Sequence, residues 1–344
     1  MAKAARLASA VLGLAIAAPP FAAADEYDPS FTIQVENDWF GKIAGGGSDR
    51  DYTTGIRLAW LSDSLDVPGW VERIATPPRI FGSEEDNTIW RWGLSINQNI
   101  YTPEETTTSE PIDDDRPYAA WLYLGLTLQG IHRVGTEPVR MDTFDVSLGV
   151  VGPWALGEQL QNNFHNFIDD EETEGWDNQL DNEPALQLTY ERRWRTGAYE
   201  PVSGAGIEVD AVPYLGAGLG NVQIYGAAGG ILRLGQDLQK DFGPPSIRPA
   251  LPGSEAFSDR GFSWYLFAGV EGRVVAHNIF LDGNTFDDDS PSVDRIPLVG
   301  EGKAGLTVFW SDIRVSYTHI LRTPEFKERD RWNQFGAVTF SVSF

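Results

Sequence analysis

The sequence has no cysteine, only two methionines and four histidines, and little positive charge: 26 Lys and Arg stand against 50 Asp and Glu, for a net charge of −24. Without thiols, a disulfide scaffold and any thiolate zinc site are excluded. Without a basic excess there is no footprint for nucleic acid. A mean hydropathy of −0.27 excludes a bundle of transmembrane helices. The common serine-hydrolase elbow (Gly-x-Ser-x-Gly), the zinc-protease motif (His-Glu-x-x-His) and the phosphate-cradling Gly-x-x-x-x-Gly-Lys-Ser/Thr loop are all missing. No repeat of fixed period and no long Pro- or Ser-rich linker divides the 344 residues, which counts against a propeller or several domains.

What is present begins with a leader. Lys3 and Arg6 precede an apolar and small-residue run from Leu7 to Ala18, and Ala22, Ala23 and Ala24 supply a small-residue cleavage site. The run is too short to span a bilayer, so residues 1–24 read as a secretory signal peptide and residues 25–344 as one exported domain. Losing Lys3 and Arg6 leaves the mature chain more acidic still.

At the other end, Val338, Phe340, Val342 and Phe344 alternate with Thr339, Ser341 and Ser343. Strand side chains point to opposite faces in turn, so this segment has one apolar and one small polar face. A buried sandwich strand could alternate in the same way. The pattern recurs at 31–35, 56–61, 90–96, 122–128, 144–150, 186–190, 207–219, 222–234, 262–274, 298–309 and 313–320. About twelve such strands, an even number, predict an all-β fold: a transmembrane antiparallel β-barrel. Trp60, Trp90, Trp121 and Trp310 lie near strand ends, as interfacial girdles require.

With both termini in the periplasm, residues 37–51, 100–117, 151–183, 277–297 and 323–334 become extracellular loops, with a tight turn at Gly220 and Asn221. The chemically unusual segments gather at that rim, where loops meet a rigid scaffold. Parity sends Phe31, Ile33 and Val35 toward lipid, and Gln34, Glu36 and Asp38 inward. In the second strand it sends Thr53, Gly55 and Arg57 inward, which makes Asp38 and Thr53 expected inward neighbours across one hairpin. A polar lumen lining would show the same parity.

One extracellular loop carries the helix signal. Leu156, Leu160, Phe164 and Ile168 recur at a spacing of four, with Gln161 and His165 sharing another face. The short helix is expected over the rim, with His165 directed at the barrel wall. Around it gather oxygen donors: Asn37, Asp38, Thr53 and the run Asp169, Asp170, Glu171 and Glu172. Oxygen-rich sites suit calcium, and a histidine base with a cation at the oxyanion can hydrolyse an ester without a nucleophilic serine. Solvated acidic loops would give the same run.

Several blocks resemble the outer-membrane lipid A 3′-O-deacylase family: Glu36-Asn37-Asp38, Tyr52-Thr53-Thr54-Gly55 and Arg116-Pro117-Tyr118-Ala119-Ala120-Trp121. Gly152-Pro153 through Gln161 and His165, Gly175-Trp176-Asp177-Asn178-Gln179-Leu180 and Asn182-Glu183-Pro184 continue the match. Phe280-Leu281-Asp282-Gly283-Asn284 and Arg322-Thr323-Pro324-Glu325-Phe326 carry it almost to the C-terminus. The resemblance implies a twelve-stranded barrel with its site between the wall and a helix of an extracellular loop. It also implies calcium-dependent removal of the 3′-linked acyloxyacyl group of lipid A in lipopolysaccharide. His165 would activate water, Asp38 would help hold Ca2+, Asn37 and Thr53 would line the site, and Gln161 would be oriented with His165. A second metal-side carboxylate would be Glu171, with Glu174 as the alternative. The basic residue that holds substrate in members has no placed counterpart in this sequence. The outer membrane, reached through the barrel assembly machinery, would be the location. A phospholipase or a non-enzymatic structural or binding barrel are the other readings; barrel phospholipases need a serine beside the histidine, and none is placed beside His165.

Overall fold

The computed structural model describes residues 27–38, 40, 51–63, 68–69, 88–135, 137–168, 173–244, 261–287 and 289–344. The expected leader and Glu171 lie outside them, and for Thr53 the backbone alone is described. Among the described residues are twelve strands: β1 Ser30–Asn37, β2 Asp51–Leu61, β3 Thr88–Thr102, β4 Ala119–Val134, β5 Glu137–Val151 and β6 Glu183–Trp194. The second half comprises β7 Glu208–Gly220, β8 Gln223–Gly235, β9 Gly261–Asn278, β10 Leu298–Ser311, β11 Ile313–Arg322 and β12 Asn333–Ser343. Each expected segment falls on one of them. All neighbours are antiparallel, and β1 closes on β12 from Ser30↔Ser343 to Asn37↔Gly336. Closure leaves no edge, the condition for sheet to exist in a hydrocarbon environment.

The alternation is that of a soluble protein turned inside out. Leu94, Leu124, Leu148, Leu186, Leu215 and Leu232 are exposed on the outer face, while Thr32, Gln34, Arg57, Asn97, Asp145 and Thr189 are buried in the lumen. Lumen charges are paired rather than solvated: Arg193 Nε lies 2.7 Å from Glu191, and Arg322 and Arg273 meet Glu301 at 3.0 and 3.4 Å.

Packed clusters occupy both ends of the lumen among the described residues. At the upper rim, where β1 ends and β2 begins, the short helix α2 (Ile279–Asp282) sits on an aromatic core. Phe280 stacks on Tyr101 with ring centroids 4.0 Å apart, and Trp121 stacks on Tyr123 at 3.7 Å. Trp121 is fully buried there. This corrects its assignment to a girdle, because its parity with Tyr123 turns it inward; Trp310 is exposed as a girdle requires. At the lower rim a strap from Leu238 to Pro244 crosses the lumen. Arg193 of β6 donates to the carbonyls of Phe242 and Pro244, at 2.9 and 3.0 Å. Phe242 packs with Ile131 and Met141 of β4 and β5. Arg314, from β11 on the far side, donates to the Gly243 carbonyl at 3.0 Å.

Asp241 is the strap's anchor. Its fully buried carboxylate accepts from Arg233 at 2.6 Å and from Tyr265 at 2.8 Å, and it meets Arg314 at 2.9 Å. Removing one member of a buried ion network leaves the others charged and desolvated, a cost of roughly 3–5 kcal/mol. Asp241→Ala should therefore lower the temperature at which the folded band is lost in heat-modifiability gels. A band as heat-resistant as the parent's would show that the strap contributes nothing.

Candidate active site

The site helix is positioned from its N-terminal side. After β5, Gly152 adopts φ 101°, and a Cβ there would meet the Asp181 carbonyl oxygen at 2.5 Å. Pro153 then opens a 3-10 turn, Pro153–Ala155, whose missing N–H is no loss at that position. The turn is tied down by Gly152 N–H to Ala120 O at 3.0 Å and Trp154 N–H to Asn182 Oδ1 at 2.7 Å, and the Gln98 side-chain amide donates to the Ala155 carbonyl. Helix α1 follows over Gly157–Ile168.

α1 lies against the outside of the wall. Its cluster partners Ile100, Ala120, Leu122 and Val150 belong to the outward row of β3, β4 and β5. One pair further down, Leu124 and Leu148 are 63% and 59% exposed. The approach is close enough to demand glycine: a Cβ on Gly157 would stand 2.5 Å from the Ala120 Cβ and 2.7 Å from the Trp176 ring. Leu156 does not join the expected four-residue stripe. It is exposed, with φ 58°, outside the helix start, while Leu160 packs partly buried on the wall cluster. The side chains of Phe164 and Ile168 lie outside the described ones. The buried stripe is Gly157, Gln161 and His165, the polar one. Both amide atoms of Gln161 are buried without a hydrogen-bond partner among the described residues. An orphaned buried polar group costs about 1–3 kcal/mol, and such departures from good packing collect at functional sites.

Next door, one row of outward positions crosses four strands: Asn37 pairs with Thr54, Thr54 with Ile100, and Ile100 with Ala120. Asn37 Nδ2 donates to Thr54 Oγ1 at 2.9 Å. The β1–β2 ladder ends on this outward Asn37–Thr54 pair; the expected inward pair of Asp38 and Thr53 lies one step beyond it, and the Thr53 side chain is outside the described ones. In the β2–β3 ladder the register shifts between Tyr52 and Thr54, which places Thr53 in a bulge. Asp38 begins a helical turn after β1 and is fully buried. Phe40 continues onto the outer wall, where Tyr317 O–H donates to its carbonyl at 3.1 Å and the missing Cβ of Gly336 leaves room for the Phe40 Cβ, 2.6 Å from where it would stand. Asn37 thus shares an outward row with Ile100 and Ala120, the wall positions against which α1 docks, while Asp38, Gln161 and His165 are each buried. Glu174 is exposed, its N–H bonded to Thr106 O at 2.7 Å. No three His, Asp or Glu side chains converge on a metal position among the described residues.

Residues 7–344 match the family described as outer membrane protein LpxR. The chain belongs to the LpxR family. Its fold superposes on LpxR from Salmonella typhimurium with a TM-score of 0.74 at 25% identity, covering 92% of this chain and 100% of that one. The β-domain of the Bordetella autotransporter BrkA gives 0.44 at 8% identity, over 93% and 100%. Comparison with curated protein sequences gave no match. The exposed apolar band of this LpxR-family barrel is accordingly its outer-membrane face.

The blocks that carried the resemblance divide by task. Trp176 Nε1 donates to Thr173 Oγ1 at 3.0 Å, and Thr173 donates through both its N–H and its hydroxyl to Asn162 Oδ1 on α1, at 3.0 and 2.8 Å. With Trp176 packed on Tyr118, this clamp returns the chain to the wall just beyond the acidic run. Asn284 bonds to both the N–H and the carbonyl of Asp181, so its block ties loops together. Arg116 meets Glu325 at 3.2 Å and lies over the Phe326 ring, joining two further blocks above the lumen. Sequence reasoning missed Thr54, Gln98 and Gly157. For Gly157 the signal was available: a glycine at the start of an otherwise good helix.

Two outcomes follow. Gly157→Ala should leave the barrel folded but expose the 157–180 segment to protease, through an overpacking cost of about 1–3 kcal/mol; unchanged protection would remove the close-approach argument. Burial raises the Glu325 carboxyl, but Arg322 and Arg116 outweigh it and hold the group below the ordinary glutamate value. Its stabilising contribution is complete above about pH 4.3 and is lost as pH falls through the depressed folded value. The 323–332 loop should therefore stay protease-resistant at pH 5 and loosen only in stronger acid, which Glu325→Gln should abolish.

Proposed function

We propose that the chain is a lipid A 3′-O-deacylase, a carboxylic ester hydrolase that removes the 3′-linked acyloxyacyl group in the outer leaflet, with the upper rim facing the cell exterior. The observation that carries this reading is the polar stripe Gly157–Gln161–His165, buried between α1 and the outside of the barrel. A lumen crossed by the Asp241 strap and lined by paired charges disfavours an open channel, and a site on the outer wall receives lipid sideways from the leaflet. Dimensions support it. Gly157 and Leu160 sit on the β4–β3 cluster, and the rise from Gly157 to His165 is about 12 Å. The row from Ala120 back to Asn37 spans three strand spacings, about 14 Å. An α1 directed along that row would carry His165 toward Asn37 and Asp38.

In this reading His165 takes the proton of a water whose oxygen attacks the acyl carbonyl carbon. The ester C–O bond breaks, and the proton passes to the departing 3′ oxygen. The donors suit calcium: a buried Asp38 carboxylate and the amide oxygens of Asn37 and Gln161 are hard ligands, with Glu171 or Glu174 as a further carboxylate. Bound there, Ca2+ would stabilise the oxyanion charge. Thr53 and Asn37 line the site, and Gln161 orients the reacting group. The barrel assembly machinery would insert the protein.

Purified barrel in lipopolysaccharide vesicles with Ca2+ should release the acyloxyacyl mass from lipid A, as read by mass spectrometry. EDTA, His165→Ala and Asp38→Ala should each reduce release by at least about 1,000-fold while the barrel stays heat-modifiable. An unchanged acyl pattern with calcium present sinks the proposal, and fatty acid released from phosphatidylethanolamine but not from lipopolysaccharide would reassign the chain as a phospholipase.

A further inference from the structure

The turn that leads into α1 holds two large apolar side chains where a water-facing loop would not. Trp154 is 72% exposed and Leu156 is 52% exposed, flanking a fully buried Ala155. Nothing in the turn is loose. It is pinned to Ala120, Asn182 and Gln98, and Leu160 N–H donates back to the Leu156 carbonyl at 3.1 Å. Leu156 is also held in the left-handed region, at φ 58° and ψ 32°, a backbone conformation that glycine or asparagine adopts with less strain. A branched apolar residue retained in that geometry and turned outward needs a partner.

The position of the turn identifies the partner. Ala155 packs on Leu122 and Val150, the outward pair directly above Leu124 and Leu148 of the lipid-facing band. Trp154 and Leu156 thus continue that band by one row, about 7 Å along the strands. Immediately beyond, α1 presents Glu158 and Gln159 as exposed residues. Hydrocarbon therefore gives way to headgroup between Leu156 and Glu158, and tryptophan is the residue that favours that boundary.

We infer that Trp154 and Leu156 form a rigid wedge seated in the outer leaflet, taking the upper acyl chains of a lipid as their ligand and holding α1 at the level of the lipid ester bonds. The inference uses the outer-membrane placement of the barrel and does not require the deacylation chemistry.

The absence of cysteine permits a clean test. Trp154→Cys and, separately, Leu156→Cys are labelled with a small environment-sensitive fluorophore and reconstituted in phosphatidylcholine vesicles. Leu124→Cys is the reference within the band, and Asp330→Cys, at a side chain 94% exposed in the β11–β12 loop, is the aqueous reference. Heat-modifiability checks that each barrel is folded. Labels at 154 and 156 should be quenched by chain-attached nitroxide lipids to within about twofold of the label at 124. Aqueous iodide should quench them at least threefold less than the label at 330. If both labels follow the Asp330 position in both quenchers, the wedge does not enter the leaflet and the inference is overturned. Neither readout depends on catalysis, so an inactive but inserted protein would count against the proposed function alone.

Discussion

The pairing of β1 with β12 is the constraint to which everything else answers. A sheet surrounded by hydrocarbon has no water to satisfy an edge, so the chain must close, and closure fixes two faces with opposite demands. The outer face must be apolar for about the thickness of the band. The inner face cannot be left to a disordered water column lined by unmatched charges, and it is filled instead with matched ones: Glu191 with Arg193, Asp210 with Arg233, Glu301 with Arg273 and Arg322. The strap anchored by Asp241 and the aromatic cap around Phe280 then brace the two ends.

An interior filled with paired charges leaves the exterior as the place for function. Chemistry on a lipid must occur where lipid is, and the exterior wall offers only a smooth pleated surface. α1 supplies the missing second wall. Its close docking depends on Gly157 meeting Ala120 without a Cβ, and the side chains trapped behind it are polar ones that packing alone would not select. The clamp from Asn162 through Thr173 to Trp176 holds the other end of the same loop.

Much of the architecture was legible because period two is hard to disguise: the side chains of β1, β2 and β12 fall on the faces that parity assigns. The loops also fell where the alternation stopped. Two things were not legible. The bulge at Thr53 depends on how β3 pairs with β2, and local alternation carries no information about a residue skipped in a partner strand. The helix expected over 156–168 forms over 157–168, but its apolar spacing pointed to the wrong stripe, because Leu156 belongs to the preceding turn and faces outward. The girdle reading of Trp121 rested on its place near a strand end; its parity, opposite to that of Leu122 and Leu124, commits it to the cap. Sequence identifies the candidates for chemistry; which side of the wall they occupy is decided by packing between distant strands.

The charge imbalance also acquires a structural cause. Arg193, Arg233, Arg273, Arg314 and Arg322 are spent inside the barrel on buried carboxylates, and Arg116 and Arg329 on the upper loops. Since basic residues are scarce, few remain for the exterior, and exposed acidic positions such as Glu110, Asp113, Asp114 and Asp289 dominate the upper rim. A protein so built repels phosphate-bearing lipid unless a cation stands between them. For the proposed reaction on lipid A, a divalent ion at the outer wall would offset that repulsion, and the proposal of such an ion thus draws on how the lumen is packed as well as on the proposed donors.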